Sequence, residues 1–300
     1  MTLHLDDAAV RRLLRLETLI PAMRQALIDL SAGRVVQPLR SVMDVPPAQG
    51  LLFLKPALTG DALAAKLITL FPGNAALGLP TLLATIVLMD PRTGQTIAVM
   101  DGTWITALRT AAVSAVGVDA LAPHGPKVVA MLGSGALART HAQAFRAVRP
   151  ISQIRVWSRD PANVARCAAE IDAVPAMTAE AAVRGADIVC TVTNASEPIL
   201  EGAWLKPGAL VTAIGAPRPT WRELDDAAMR NPVVVDSREA ALQESGDVIL
   251  SGAPLHAELG EILSGTRPPP PAGTTVVFKA LGQAVEDAVA ARLVYQAAKN

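Results

Sequence analysis

The sequence predicts an α/β protein in two parts. The front part carries short strands in an antiparallel or mixed sheet; in the longer back part, parallel strands alternate with helices. Three observations support this. An apolar run from Val128 to Leu132 breaks at Gly133 and turns helical almost at once. After it come apolar, β-branched strands at 153–157, 187–192, 209–215 and 233–236, separated by helical or turn segments, as expected of parallel strands buried on both faces. Before it, strands pair across hairpin-like turns such as Thr59-Gly60-Asp61 and Pro91-Arg92-Thr93-Gly94.

Composition narrows the function classes. The chain has 300 residues, 51% of them hydrophobic, enough for a large core. Its 27 cationic and 27 acidic side chains cancel, so no footprint for nucleic acid or an anionic membrane is expected. Asp6 and Asp7 do not fit the basic-then-apolar pattern of a signal peptide, and no uncharged apolar run is long enough to span a bilayer. Cys167 and Cys190 show no metal spacing, nor do the scattered His4, His124, His141 and His256. A reduced, cytoplasmic protein without a metal is the expectation.

The front half begins with helical periodicity over 10–32, ending at Gly33. Residues 34–43 are mixed in character, and strands follow at 51–56, 64–71, 82–90 and 96–100. Asp101-Gly102-Thr103 caps a helix over 104–122, which Pro123 and Gly125 end. Three cations here have apolar neighbours: Arg40 after Pro38-Leu39, Lys66 in Ala64-Ala65-Lys66-Leu67-Ile68, and Arg109 in a run from Ile105 to Ala112. Burying such a charge is costly without an anion. Each alone could snorkel to solvent; three together suggest a pocket for a carboxylate, which a guanidinium binds bidentately.

In the back half, Gly133 makes the tight turn and Gly135 lets a pyrophosphate approach bare backbone. Ala138 takes the third small position, permitting close helix–strand packing. Gly133, Ser134, Gly135, Ala136 and Leu137 are thus the candidate pyrophosphate contacts, at a helix N-terminus with unpaired N–H groups. Past the next strand, where a dinucleotide fold reads the adenosine ribose, stand Ser158 and Arg159 in place of an acidic residue. A hydroxyl and a guanidinium suit a 2′-phosphate and favour NADPH, while Asp160 leaves NADH open or caps the following helix with Pro161. Ligands of such sheets bind at the carboxyl ends of strands, which nominates Thr191, Val192 and Thr193 together with Ile214, Gly215 and Ala216 for ribose and nicotinamide. Pro268 to Pro271 form a stiff connector, and a strand over 274–280 precedes a C-terminal helix that needs a partner face.

Asp101-Gly102-Thr103 through Arg109-Thr110-Ala111-Ala112, the glycine turn, Arg218-Pro219-Thr220-Trp221-Arg222-Glu223-Leu224-Asp225, and Phe278-Lys279-Ala280-Leu281-Gly282 with Glu286-Asp287 resemble the ornithine cyclodeaminase/mu-crystallin family over nearly the whole chain. The back half, at 235–247 and 251–261, is most similar to the ketimine reductase members. The resemblance implies a Rossmann dinucleotide-binding domain, 114–275, and a split α+β substrate and dimerisation domain, 1–113 with 276–300. It implies a homodimer joined through a shared β-barrel. It places Arg40, Lys66 and Arg109 around the substrate carboxylate and reacting nitrogen, Thr81 as a polar pocket residue, and Ser158 and Arg159 at the NADP 2′-phosphate. Thr110 and Lys279, inside the matching motifs, join the cofactor set.

Two departures bear on the activity. Ornithine cyclodeaminases carry a catalytic aspartate where this chain has Pro217, which cannot move a proton. Leu82 stands where the mu-crystallin branch carries a histidine. The activity the resemblance implies is NADPH-dependent reduction of the cyclic ketimines Δ1-pyrroline-2-carboxylate and Δ1-piperideine-2-carboxylate to L-proline and L-pipecolate, by hydride transfer to C2. Lys66, or an ordered water, controls the proton on nitrogen, and Lys66 as a mere carboxylate ligand is the plainer reading. Alanine dehydrogenase and ornithine cyclodeaminase activities are the alternatives within the family. Outside enzymology, the alternative is a binder of a thyroid hormone-like small ligand, against which an aromatic content of 3% argues.

Overall fold

The apolar runs form two sheets, one in each of the two units into which the computed structural model, describing residues 2–299, divides the chain. Unit 1 comprises Met1–Arg109 and Gln283–Asn300; unit 2 comprises Thr110–Gly282. The divisions fall at 109/110 and 282/283, not at the expected 113/114 and 275/276. The reason is the strand Val276–Lys279, which hydrogen-bonds between two parallel strands of unit 2, so the chain leaves that unit only after Gly282.

In chain order, unit 1 opens with β1 (Leu3–Leu5), α1 (Asp7–Leu13), α2 (Leu16–Ser31), β2 (Ser41–Val45), β3 (Gly50–Leu58), β4 (Leu63–Leu70), β5 (Leu82–Met89) and β6 (Thr96–Asp101). The helix α3 (Thr103–Leu121) then carries the chain into unit 2. There follow β7 (Lys127–Leu132), α4 (Ala136–Val148), β8 (Ile151–Trp157), α5 (Pro161–Ile171), β9 (Val174–Pro175), α6 (Ala179–Val183), β10 (Ile188–Thr191) and β11 (Leu210–Ala213). Next are α7 (Asp226–Met229), β12 (Val233–Val235), α8 (Arg238–Glu244), α9 (Gly246–Ser251), β13 (Leu255–Glu258), α10 (Leu259–Leu263) and β14 (Val276–Lys279). The closing helix α11 (Ala284–Lys299) belongs to unit 1.

The sheet of unit 1 has the order β1-β6-β5-β4-β3-β2, antiparallel except for the β1–β6 pair. Alternate burial along β5 gives it one wet face, and α11 lies on β3 and β4. The expected single helix over 10–32 is two, because Leu14 and Arg15 are extended between them; Asp6 caps the first, accepting from Ala9 N–H at 2.8 Å. The edge strand β2 falls in the stretch of mixed sequence over 34–43 and beyond. Its residues show no alternation of burial, the signal that marks a half-buried strand.

The eight strands of unit 2 are all parallel, in the order β13-β12-β14-β11-β10-β7-β8-β9. β10, β11, β12 and β14 are buried throughout, as their continuous apolar runs require. The strand order reverses direction between β7 and β10, the position at which doubly wound sheets open a ligand crevice. This is the Rossmann arrangement expected. The C-terminal half of α3 meets β14 at Gly117, where a Cβ would stand 2.5 Å from the Phe278 ring. Phe278 is wholly buried, so its ring has no room to yield. By length and composition alone α3 could cross a membrane, but 72% of its most apolar window is buried, as in a core helix.

Gly117→Leu would overpack this contact. The expected loss is about 2–3 kcal/mol of unfolding free energy by urea denaturation; an unchanged midpoint would show that the helix does not press on Phe278.

Candidate active site

In unit 1 the antiparallel register sets Lys55 of β3 directly opposite Lys66 of β4. Opposed residues share a sheet face, so two ammonium stems point the same way, and both are buried. Like charges in that arrangement repel, and the fold supplies carboxylates from α11. Asp287 Oδ1 accepts from Lys66 Nζ at 2.6 Å and from Arg109 Nε at 2.9 Å. Glu286 Oε2 accepts from Arg109 Nη1 at 2.7 Å, and Lys66 Nζ also donates to Thr106 Oγ1 at 3.2 Å. Lys66, Arg109, Glu286 and Asp287 are each no more than 4% exposed.

Burial pushes the Lys66 pKa well below its usual range; Asp287 opposes that, and Arg109 and Lys55 reinforce it. Lys55 is lowered by burial in the same way, with Arg40 among the cations adding to the effect. Burial alone would raise the Asp287 carboxyl, but Arg109, Lys66 and Lys55 outweigh it and hold it at about 2. The three cations picked from sequence thus share one neighbourhood: Lys66 and Arg109 meet on Asp287, and the half-buried Arg40 acts on Lys55. Thr81 is exposed ahead of β5, where its carbonyl accepts from Phe71 N–H at 2.8 Å, and does not enter the buried cluster. Lys55 and Asp287 were not picked. Lys55 carried the same signal as Lys66, a cation inside an apolar strand. Asp287 sits 221 residues from Lys66 in sequence, and helix periodicity does not announce its partners.

In unit 2, Gly133 follows β7 with φ +128°, and a Cβ there would stand 2.8 Å from the Val192 carbonyl oxygen. Only glycine meets both demands. Gly135 is the N-cap of α4 with no side-chain cap, and a Cβ placed on it would meet nothing within 4 Å. The first N–H groups of a 13-residue helix, those of Ala136 and Leu137 among them, thus have no side-chain cap, the setting in which helix N-termini take anions. Arg139 ties down the turn, donating to the Ser134 and Gly135 carbonyls at 3.0 Å each and pairing with Glu170. At the end of β8 the Ser158 and Ser134 hydroxyls are 2.7 Å apart, and Arg159 is exposed. Asp160 spends both carboxylate oxygens capping α5, accepting from Ala162 N–H at 2.9 Å and from the Asn163 side chain at 2.5 Å.

Three of the cofactor candidates have side chains engaged with buried groups. The Thr191 and Thr193 hydroxyls turn inward and donate to the buried Glu223 at 2.7 and 2.6 Å. Lys279 is wholly buried, pairing with Asp247 at 2.9 Å and donating to the Gly215 carbonyl. These hydroxyls and this ammonium satisfy buried carboxylates and backbone. Thr110 is half-buried within α3 and its carbonyl accepts from Ser114 Oγ at 3.1 Å; Val192 is half-buried and Ile214 buried at their strand ends.

A model of the ornithine cyclodeaminase/mu-crystallin family matches residues 2–300. Mouse ketimine reductase mu-crystallin is 48% identical over 285 residues, covering 92% of this chain and 91% of its own. The structure of Thermococcus litoralis Δ1-pyrroline-2-carboxylate reductase in complex with NADH and L-proline is similar at TM-score 0.93 and 33% identity, covering 99% of this chain and 98% of that one. An archaeal alanine dehydrogenase dimer with bound NAD is similar at TM-score 0.93 and 27% identity, covering 99% and 96%.

Asp287→Asn keeps the shape and removes the counter-charge from two buried cations. At pH 7 it is expected to cost about 3–5 kcal/mol of stability. Because the folded carboxyl titrates at about 2 against an ordinary 3.8, its stabilisation is complete above about pH 4 and is lost as pH falls toward 2. The gap between parent and variant in denaturant titrations should narrow over that window; a gap independent of pH would mean the Asp287 charge is not what stabilises the cluster.

Proposed function

The chain belongs to the ornithine cyclodeaminase/mu-crystallin family, and we propose that within it the protein reduces cyclic ketimino acids with a nicotinamide cofactor. The observation that carries this is the buried cluster of Lys66 and Arg109 on one carboxylate oxygen, with Lys55 and Arg40 beside it. Four cations set against Glu286 and Asp287 favour an incoming anion. A ring carboxylate suits Arg40 and Arg109, whose planar forks fix its orientation. The substrates are Δ1-pyrroline-2-carboxylate and Δ1-piperideine-2-carboxylate, and the products L-proline and L-pipecolate.

Bound reduced nicotinamide supplies the hydride that C2 of the imine accepts. The chain's own task is the proton. A neutral C=N takes hydride poorly, and a buried lysine with a lowered pKa gives up its proton readily. Lys66 protonates the ring nitrogen and recovers a proton from solvent, so that imine, reduced cofactor and one proton become cyclic amino acid and oxidised cofactor. Pro217, in the loop where cyclodeaminases carry their aspartate, has no proton to move, which disfavours ornithine cyclisation.

The adenosine end favours NADPH. Ser158 and exposed Arg159 suit a 2′-phosphate, and Asp160 is engaged in its helix cap. A homodimer formed through the unit 1 sheet is supported by exposed Val42, Met43, Leu54, Leu82 and Leu83 on β2, β3 and β5, with β2 an open edge. Cys167 and Cys190, buried and outside any disulfide, support a cytoplasmic location.

Purified protein should oxidise NADPH with either cyclic imine, and not convert ornithine in the absence of reductant; turnover of pyruvate with ammonia but of neither imine would replace this reading with alanine dehydrogenation. Arg159→Ala should raise KM for NADPH about tenfold and leave that for NADH unchanged; equal losses for both would remove the 2′-phosphate assignment. Met43→Asp should convert a dimer to a monomer in sedimentation velocity, and a dimer that persists would place the interface elsewhere.

A further inference from the structure

At the ends of β10 and β11 three buried charges hold the backbone of one loop from both sides. Glu223 accepts four hydrogen bonds: from Thr191 Oγ1 at 2.7 Å, Thr193 N–H at 2.7 Å, Thr193 Oγ1 at 2.6 Å and Gly215 N–H at 2.8 Å. Lys279 donates to the carbonyl of that same Gly215. Asp247 links the two, pairing with Lys279 at 2.9 Å and accepting from the Glu223 and Leu224 N–H groups at 2.8 and 3.0 Å. All three charged side chains are fully buried.

The grip is tight. A Cβ on Gly215 would lie 2.3 Å from the Thr193 carbonyl oxygen and 2.4 Å from the Glu223 carboxyl carbon. The next residue, Ala216, is buried with φ +52°, a left-handed conformation that a side chain adopts at a cost. Such a conformation persists only where its surroundings over-determine it, and here both polar groups of the preceding residue, Gly215, are held by charges of opposite sign. Three chargeable side chains are buried around this stretch.

That stretch is where a doubly wound sheet presents its ligand, beside the strand-order reversal at β7 and β10. Gly133, at the same place, is stripped of a Cβ against Val192. We propose that Glu223, Asp247 and Lys279 are positioning residues for the nicotinamide end of the cofactor: by taking up the Thr193 N–H and both polar groups of Gly215, they set the backbone after β10 and β11 so that the neighbouring Thr193 carbonyl and Ala216 main-chain groups meet the carboxamide. None of the three touches the cofactor; they act through Thr193, Gly215 and Ala216. A carboxamide carries both a donor and an acceptor and pairs naturally with fixed main-chain groups. The inference rests on the dinucleotide reading above and adds which residues serve the nicotinamide half.

Binding of NADPH and of 2′,5′-ADP, which lacks the nicotinamide, separates the two ideas. Glu223→Gln keeps the shape but puts an NH2 group where donors already point. NADPH should bind about tenfold more weakly by fluorescence titration, while the Kd of 2′,5′-ADP by calorimetry stays unchanged. Thr193→Val, a milder change at one of the hydroxyls that Glu223 accepts from, guards against a variant that does not fold and should show the same selectivity at about threefold. Equal weakening of both ligands, or no weakening of NADPH, in whichever variants fold would overturn the positioning role. Parent protein that binds neither these ligands nor NADH would sink the dinucleotide reading itself.

Discussion

A buried charge needs a partner, and that requirement shapes the chemistry of both units. In unit 1, Lys55 and Lys66 face one another across two strands with Arg109 close by, an arrangement that would drive the sheet apart without Asp287. One carboxylate oxygen serves two cations, and the cluster still holds more positive than negative side chains. The burial of Lys66 and Arg109 in unit 1 thus rests on the carboxylates that α11 brings to them.

The same requirement works in reverse in unit 2. There the buried groups are the carboxylates of Glu223 and Asp247, and the protein satisfies them with hydroxyls, backbone N–H groups and Lys279. Burial raises the Glu223 carboxyl pKa, against the pull of Lys279 and the two threonines. Such a network is rigid because each member is held by several others. The glycine turn after β7 needs little of this. Its shape follows from one positive φ at Gly133 and an uncapped helix start at Gly135.

Much of this was visible in the residues in order. Parallel strands buried on both faces announce themselves by apolar runs, as β7, β10, β11, β12 and β14 do, whereas β8 shows an alternation in which Ile154 and Val156 are buried. The strands β2 and β13 show no such run, because one lies exposed at an edge and the other carries His256 and Glu258 in its four residues. The break at Leu14 and Arg15 was hidden because apolar spacing continues through it. Strand β14 was read as a strand yet assigned to the other unit, since nothing local states which sheet a lone strand will join.

The sequence by itself determined the alternation of strands and helices, the dinucleotide turn, and the cations too costly to bury alone, because each depends on neighbours a few residues away. Tertiary structure decided which anion meets which cation, and whether a polar side chain at a strand end faces ligand or core. Asp287 reaches Lys66 across 221 residues of chain, and the threonines and Lys279 turn inward because Glu223 and Asp247 arrive from elsewhere. Pairings of that kind are set by register and packing between distant segments, and no local pattern encodes them.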